Sequence, residues 1–113
     1  MMSNLFLSYN VASSSSLAGL QQLITLFNPI FIFLQEVSIT TEQLLAQFGD
    51  HFQGLSNLHE SDSQKPGNAV LWRKDVEAIV TNVVPLRMQL IQSATYGNFV
   101  NVYAPSGSQG ENP

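Results

Sequence analysis

Residues 30–36 read Ile-Phe-Ile-Phe-Leu-Gln-Glu, a short apolar run that ends in an amide and a carboxylate. A continuous apolar run of this length is typical of a β-strand that is buried on both faces. In open α/β sheets, ligands bind outside the carboxyl ends of the strands. We therefore expect Glu36 to lie where the sheet opens onto solvent, and Glu36 is the first candidate for chemistry.

The segments before this run predict a strand and a helix. Residues 5–11 are typical of a strand, and apolar residues recur at helical spacing from Leu17 to Phe27. The four serines at 13–16 offer hydroxyl groups that could cap this helix. Pro29 ends it, because the residue before a proline disfavours the α region. A strand, a helix and a second strand with short links predict a parallel βαβ unit.

The segments after the run predict one more helix and several strands. Thr40 and Gln43 fit a capping box at the start of a short helix that Gly49 ends. The remaining strand-like segments are bounded by turn residues and cover 51–59, 69–73, 76–84, 86–92 and 99–103. The last four are expected to form an antiparallel meander. The fold class is therefore α+β, with one mixed sheet and helices on one face.

Composition excludes several classes of function. Charged residues make up 11% of the chain, compared with about 25% in average soluble proteins, and only four residues are basic. So few cations argue against a nonspecific nucleic-acid binder, which works by neutralising phosphates. The chain contains no cysteine, so disulfides and thiolate metal sites are excluded. Two histidines cannot form a zinc site without carboxylates.

No segment of the sequence predicts secretion or membrane insertion. The longest apolar runs are far shorter than the roughly 18 residues that span a bilayer. The N-terminus lacks the basic start and apolar stretch of a signal peptide. An intracellular protein, nuclear or cytoplasmic, is the expectation.

Three residues at predicted strand ends are candidates for a site. Glu36 could hold Mg²⁺, which binds one or two carboxylates and completes its shell with water and phosphate. Asn10 should reach the same sheet edge, because neighbouring parallel strands end together. Tyr103 could place its hydroxyl there. The alternatives are a solvated glutamate, an asparagine that makes its own turn, and a core tyrosine.

Other polar and aromatic residues receive ordinary interpretations. His51 and His59 are expected on the surface or in loops, and Asp62 in a solvated loop. Trp72 is expected in the core or at an interface.

Four segments, taken in order, resemble a known superfamily. They are Ser8–Val11, Phe33–Glu36, Gly67–Leu71 and Val100–Ser106, and each lies at a predicted strand or strand end. Together they resemble the endonuclease/exonuclease/phosphatase superfamily. Within it, the Asn-Val-Tyr-Ala-Pro-Ser-Gly stretch from residue 101 is most similar to the apurinic-endonuclease-like domain of non-LTR retrotransposons.

The resemblance implies a magnesium-dependent phosphodiesterase that nicks DNA. It assigns Glu36 to the Mg²⁺-binding glutamate of the family, and Asn10 to the asparagine that contacts the phosphate and metal network. Tyr103 matches the tyrosine that helps to hold the scissile phosphate. Ser106 stands where many members have asparagine, so no role is assigned to it.

The same resemblance implies that the 113 residues are the N-terminal half of a four-layer α/β sandwich. The family's general-base aspartate, its paired asparagine and its Asp-His motif lie in the other half. We therefore expect residues 1–113 to form a single partial domain, with 105–113 as a flexible tail. Three hypotheses follow: a truncated endonuclease that is inactive alone, a domesticated protein-interaction module, and activity completed by another chain.

Half of a face-to-face sandwich should leave one apolar sheet face without cover. The low content of charged residues agrees with a need for such cover. We therefore expect a homodimer, or a protein partner, that buries this face.

Overall fold

The computed structural model describes residues 5–11, 17–58 and 66–104. Within these ranges the chain forms two helices and seven strands, which are numbered in chain order. The elements are β1 (Phe6–Asn10), α1 (Ala18–Phe27), β2 (Phe31–Val37), α2 (Thr41–Phe48), β3 (Phe52–Ser56), β4 (Gly67–Arg73), β5 (Ile79–Val84), β6 (Met88–Ser93) and β7 (Gly97–Val102).

The mixed sheet is built around β2 and has the strand order β1-β2-β4-β3. β1 runs parallel to β2, with Phe6 opposite Phe31 and Asn10 opposite Gln35, so the predicted parallel βαβ unit is confirmed. β4 runs antiparallel to both β2 and β3. The carboxyl ends of β1 and β2 therefore lie at one edge of the sheet, as expected.

A second sheet contains only the last three strands of the described chain, in the order β5-β6-β7. The prediction of a four-strand meander is wrong in its first member, because β4 lies inside the mixed sheet. Six of the seven residues of β4 are buried. A strand covered on both faces belongs in a sheet interior, whereas most residues of β5 are exposed.

The helices begin and end close to the predicted residues, but one cap differs. α1 ends at Phe27, and its C-cap Asn28 has a left-handed backbone with φ 50° directly before Pro29. Its N-cap is Leu17, which makes no side-chain cap hydrogen bond, so a serine N-cap at this helix is wrong. The serines themselves, at 13–16, lie outside the described residues.

The capping box of α2 is confirmed. The backbone N–H of Gln43 donates to Oγ1 of Thr40 over 3.3 Å, and the backbone N–H of Thr40 donates to Oε1 of Gln43 over 2.9 Å. These two bonds satisfy two donors that a helix N-terminus otherwise leaves unpaired. Gly49 is the C-cap, as predicted.

Two cores explain why residues 30–34 are continuously apolar. Ile32 and Leu34 pack under the helices together with Leu20 and Leu44. The second core lies between the two sheets and contains Phe31, Val70, Trp72 and Ile91. Successive residues of β2 point to opposite faces, and both faces are covered, so each side chain contributes about 1.5–3 kcal/mol by burial.

The α+β class and the mixed sheet with helices on one face are confirmed, and the two sheets form a sandwich. The prediction of one sheet is incomplete, because β5, β6 and β7 cover the other face of the mixed sheet. The apolar face that remains exposed is the far side of the second sheet, where Ile79, Val100 and Val102 are 60%, 55% and 51% exposed. We call this side the outer face.

Candidate active site

The end of β2 carries a β-bulge at Glu36. Gln35 lies in register with Asn68 and Val37 with Gly67, so the register of β2 against β4 shifts by one residue at Glu36. Its φ is 56°, in the left-handed region that non-glycine residues seldom occupy. A bulge redirects a side chain out of the strand alternation. β2 continues to Val37, so Glu36 lies one residue before the end of the strand.

Such a backbone conformation costs free energy. A non-glycine residue in a sparsely populated region costs on the order of 1–3 kcal/mol, and such residues cluster at functional sites. The left-handed conformation of Glu36 is thus a local cost that the surrounding contacts must offset.

Asn10 is the last residue of β1 and is exposed at the same sheet edge. Its Cα lies in register with Gln35, one residue before Glu36. The next residue, Val11, continues the pairing, because its backbone N–H donates to the carbonyl of Gln35 over 2.9 Å. The structure therefore brings Asn10 and Glu36 to neighbouring positions on parallel strands.

Tyr103 comes from the second sheet and follows β7. It is 9% exposed, and its backbone N–H donates to the carbonyl of Arg87 over 2.8 Å. The Arg87 guanidinium lies 5.9 Å from the centre of the Tyr103 ring. Burial raises the pKa of the Tyr103 phenol, the negative charge of Glu36 raises it further, and Arg87 opposes both. The phenol therefore stays protonated at neutral pH, within electrostatic reach of Glu36.

Buried amides lie beneath these residues, and sequence reasoning missed them. Nε2 of Gln35 donates to Oδ1 of Asn101 over 3.0 Å. Nδ2 of Asn101 lies 3.0 Å from the carbonyl of Ala69, 3.2 Å from that of Leu34 and 3.1 Å from Oε1 of Gln89. The signal that could have found Asn101 is an amide at an inward position of an apolar strand.

A second group of amides extends the network toward β3 and the turn between β5 and β6. Nδ2 of Asn68 donates to the carbonyl of Asn101 over 2.7 Å and to that of Arg87 over 3.2 Å. Nδ2 of Asn57 in turn donates to Oδ1 of Asn68 over 3.1 Å and to the carbonyl of Val84 over 2.8 Å. Polar side chains thus join the two sheets directly below the candidate site.

The other residues that the sequence singled out lie away from this edge or outside the described ranges. His51 is exposed in the turn before β3, and Trp72 is buried between the sheets, both as expected. His59, Asp62 and Ser106 lie outside the described residues.

A cleft of about 550 Å³ lies at the opposite end of the mixed sheet. Its lining includes Asn28, His51 and Arg73, where β3 begins and β4 ends. It therefore shares no residue with the edge that carries Glu36 and Tyr103.

The comparison with known families bears on this edge directly. A family model described as the endonuclease/exonuclease/phosphatase family matches residues 7–105. The chain belongs to the endonuclease/exonuclease/phosphatase family. The matched range includes Asn10, Glu36 and Tyr103, and members of the family are generally metal-dependent. No curated protein matched the chain.

The oxygen donors at the edge fit one kind of metal site. The Glu36 carboxylate and the Asn10 side-chain carbonyl are hard oxygen ligands of the type that Mg²⁺ prefers. Among the described residues, no group of three or more histidine, aspartate or glutamate side chains could enclose a metal ion. The residues therefore fit a hydrated Mg²⁺ that keeps several waters, and they do not fit a cage made by the protein alone.

No helix within the described ranges is both long and apolar enough to cross a membrane.

Proposed function

We propose that these 113 residues are the N-terminal half of a magnesium-dependent DNA endonuclease domain of the apurinic-endonuclease-like kind found in non-LTR retrotransposons. The observation that carries the proposal is the bulged Glu36, which lies beside Asn10 and within electrostatic reach of Tyr103. The family match and the order of the four sequence segments support it.

Each of the three residues has a role that its chemistry allows. The Glu36 carboxylate would hold Mg²⁺, with the amide of Asn10 beside it to orient the carboxylate or to bind a phosphate oxygen. A bound Mg²⁺ would supply electrostatic stabilisation of the charge that develops on the phosphoryl oxygens. The Tyr103 phenol, which is protonated at neutral pH, would donate a hydrogen bond to a phosphate oxygen.

We further propose that the chain alone does not turn over DNA. The resemblance places the general-base aspartate and the Asp-His motif of the family outside the matching segments, and among the described residues no three histidine, aspartate or glutamate side chains lie together. His51 lies at the opposite end of the mixed sheet. General-base catalysis commonly contributes 10²–10⁴-fold, so binding without measurable cleavage is the expected state.

Mg²⁺ titration by NMR and nicking of supercoiled plasmid test both parts of this proposal. We expect Mg²⁺ to shift the amide signals of Glu36 and Asn10, and Glu36→Gln to abolish these shifts. Glu42→Gln is the matched control, because it removes the same charge from an exposed position of α2.

In the plasmid assay we expect no nicking above a chelator-treated control. Mg²⁺-dependent nicking that Glu36→Gln abolishes would show that the chain is an active enzyme by itself. Absence of any Mg²⁺-dependent shift at Glu36 would overturn the metal site.

A second candidate function is a non-catalytic interaction module, and the outer face favours it. The outward positions of the three strands include Ile79 and Val84 on β5, Leu90 on β6, and Val100 and Val102 on β7. None of these positions carries a charge. Most of this face is therefore an apolar surface that a partner could cover.

We propose a second copy of the chain as the occupant of the outer face. Two uncharged sheet faces can stack without burying a charge. Pairing them would remove on the order of 1,000 Å² from water, which is the lower limit for a specific interface, so a weak dimer is expected.

Sedimentation or light scattering at micromolar concentration tests the dimer. Val100→Lys should give a monomer, because it places a charge opposite Leu90 in the middle of the outer face. Leu26→Lys is the matched control, since Leu26 is 73% exposed on α1 and away from this face. A wild-type protein that stays monomeric would count against the dimer.

A further inference from the structure

Three polar side chains form a hydrogen-bonded row across β7, β2 and β1. Asn101 accepts a hydrogen bond at Oδ1 from Nε2 of Gln35 over 3.0 Å. The same Nε2 lies 3.1 Å from Oγ of Ser8 on β1. We call Asn101, Gln35 and Ser8 the cross-strand network.

Asn101 is an unexpected residue for its position. It is 3% exposed, and it points between the sheets in the same direction as Phe99 and Tyr103 along β7. An apolar side chain would fill this place without the desolvation cost of an amide. The amide does what an apolar side chain cannot, because it contacts the carbonyls of Leu34 and Ala69 in the mixed sheet. These contacts are directional and fix β7 against the other sheet.

The candidate site residues come next along the same three strands. Tyr103, Glu36 and Asn10 each lie one or two positions beyond the member of the cross-strand network on their own strand. The backbone bulge with its left-handed residue begins immediately after the network on β2. The network therefore joins the three chain segments directly before the candidate site residues at the sheet edge.

We propose that Asn101 is a positioning residue, which through Gln35 sets the conformation of Glu36 and its place relative to Tyr103. The proposal rests on the proposed function only in naming Mg²⁺ as the ligand of Glu36. The alternative is that the amide simply holds the two sheets together. Asn82 offers a direct comparison, because its amide also joins the sheets, through the carbonyl of Ser56 over 3.2 Å.

The test uses three variants, in each of which leucine replaces one amide side chain. Asn101→Leu removes the amide at the β7 end of the network. Gln35→Leu removes its partner from a half-buried position, so this variant is the safer one if Asn101→Leu does not fold. Asn82→Leu removes an amide that joins the sheets from β5, the strand of the second sheet farthest from β7. It serves as the control because it is linked to Asn101 only indirectly, through Gln89.

The first readout is the backbone φ of Glu36, obtained from NMR couplings without any metal. Asn101→Leu and Gln35→Leu should lose the positive φ, while Asn82→Leu should keep it. The second readout is the dissociation constant for Mg²⁺, followed at the Glu36 amide. Loss of a residue that orients a metal ligand typically weakens binding about 10–100-fold, and we expect this of the first two variants only.

Because the two network variants break one unit, the double variant should be no worse than either single variant. Folded Asn101→Leu and Gln35→Leu proteins that keep the positive φ of Glu36 would overturn the proposal, and so would an equal loss in Asn82→Leu. If the wild-type chain binds no Mg²⁺, the metal site of the proposed function fails. The φ of Glu36 still decides the positioning role in that case.

Discussion

At the scale of single residues, the pKa of the Tyr103 phenol reflects the charges around the candidate site. Burial raises its pKa above the ordinary value of 10.0, the Glu36 carboxylate raises it further, and the Arg87 guanidinium lowers it. Because Glu36 and Tyr103 belong to different sheets, this coupling reports that the two sheets are assembled.

The first prediction concerns the titration of this phenol. Glu36→Gln should lower the pKa of Tyr103, because it removes the negative charge that disfavours the phenolate. Arg87→Gln should raise the same pKa, because it removes the opposing cation. NMR titration of ring-labelled tyrosine measures both shifts, with Tyr103→Phe to assign the signal. Glu42→Gln should leave the titration unchanged, and an equal effect of this control would contradict the assigned cause.

The same pKa has a consequence for stability at high pH. Above the ordinary phenol pKa of 10.0, the unfolded chain releases its proton while folded Tyr103 keeps its own. The free energy of unfolding therefore falls as pH rises through the interval between the unfolded and folded pKa values. Tyr103→Phe should remove the contribution of this phenol to the fall in the free energy of unfolding at high pH.

The sequence indicated which residues belong to the edge but not how Glu36 reaches it. Asn10 and Glu36 could be placed together because parallel strands end on one side. The positive φ of Glu36 could not be predicted, because the residue type does not favour it and it occurs at a register shift between two strands that are far apart in the chain. Asn101 was missed because an amide within a strand is usually interpreted by its propensity alone.

At the scale of elements, the two helices differ in how their first turns are stabilised. α2 has a reciprocal capping box, whereas α1 begins at Leu17 without any side-chain cap. Leu17 is itself buried in the core under the helices, so packing fixes the start of α1 where a hydroxyl group was expected. Burial of an apolar residue thus took precedence over local capping at this helix.

The second prediction concerns the cap of α2. Thr40→Ala should lower the free energy of unfolding by about 0.5–2 kcal/mol, because the N–H of Gln43 loses its acceptor. Thr40→Ser should retain most of the stability. Thermal or urea unfolding followed by circular dichroism measures the change.

Thr25→Ala is the matched control for this prediction. The Thr25 hydroxyl donates within α1 to the carbonyl of Gln21 over 3.0 Å, and the side chain is exposed. Because alanine has the higher helix propensity, this variant should be neutral or slightly more stable. A loss as large as that of Thr40→Ala would contradict the role of the capping box.

At the scale of the whole molecule, the inter-sheet core holds the site together. Aromatic rings fill the side of this core near β1, where the Phe31 ring lies 5.6 Å from that of Phe6 and 5.5 Å from that of Phe99. Phe31 is fully buried. Because Tyr103 and Glu36 come from opposite sheets, their relative position depends on this packing.

The third prediction concerns cooperativity between the sheets. Phe31→Ala should cost about 3–5 kcal/mol, because it leaves a cavity between them. Trp72 is the one tryptophan of the sequence and lies in the same core, so its fluorescence reports on unfolding there. Phe27→Ala is the control, since Phe27 is about half exposed on α1. If the sheets unfold as one unit, fluorescence and circular dichroism should give the same transition.

The sequence by itself determined the local structure of this protein. Hydrophobic periodicity, the capping box and the turn residues fixed the helices and most of the strands, because these signals act between residues that are close in the chain. The short apolar run at 30–34 also determined that β2 is central, since only a strand covered on both faces can bury four of these five consecutive residues.

Only the tertiary structure decided which strands join which sheet. β4 lies in the mixed sheet and not in the meander, and the second sheet covers the face that was expected to be bare. The bulge at Glu36 and the contacts of the Asn101 amide depend on that assembly. The physical reason is that strand pairing and inter-sheet hydrogen bonds join residues far apart in the chain, and no local pattern encodes their partners.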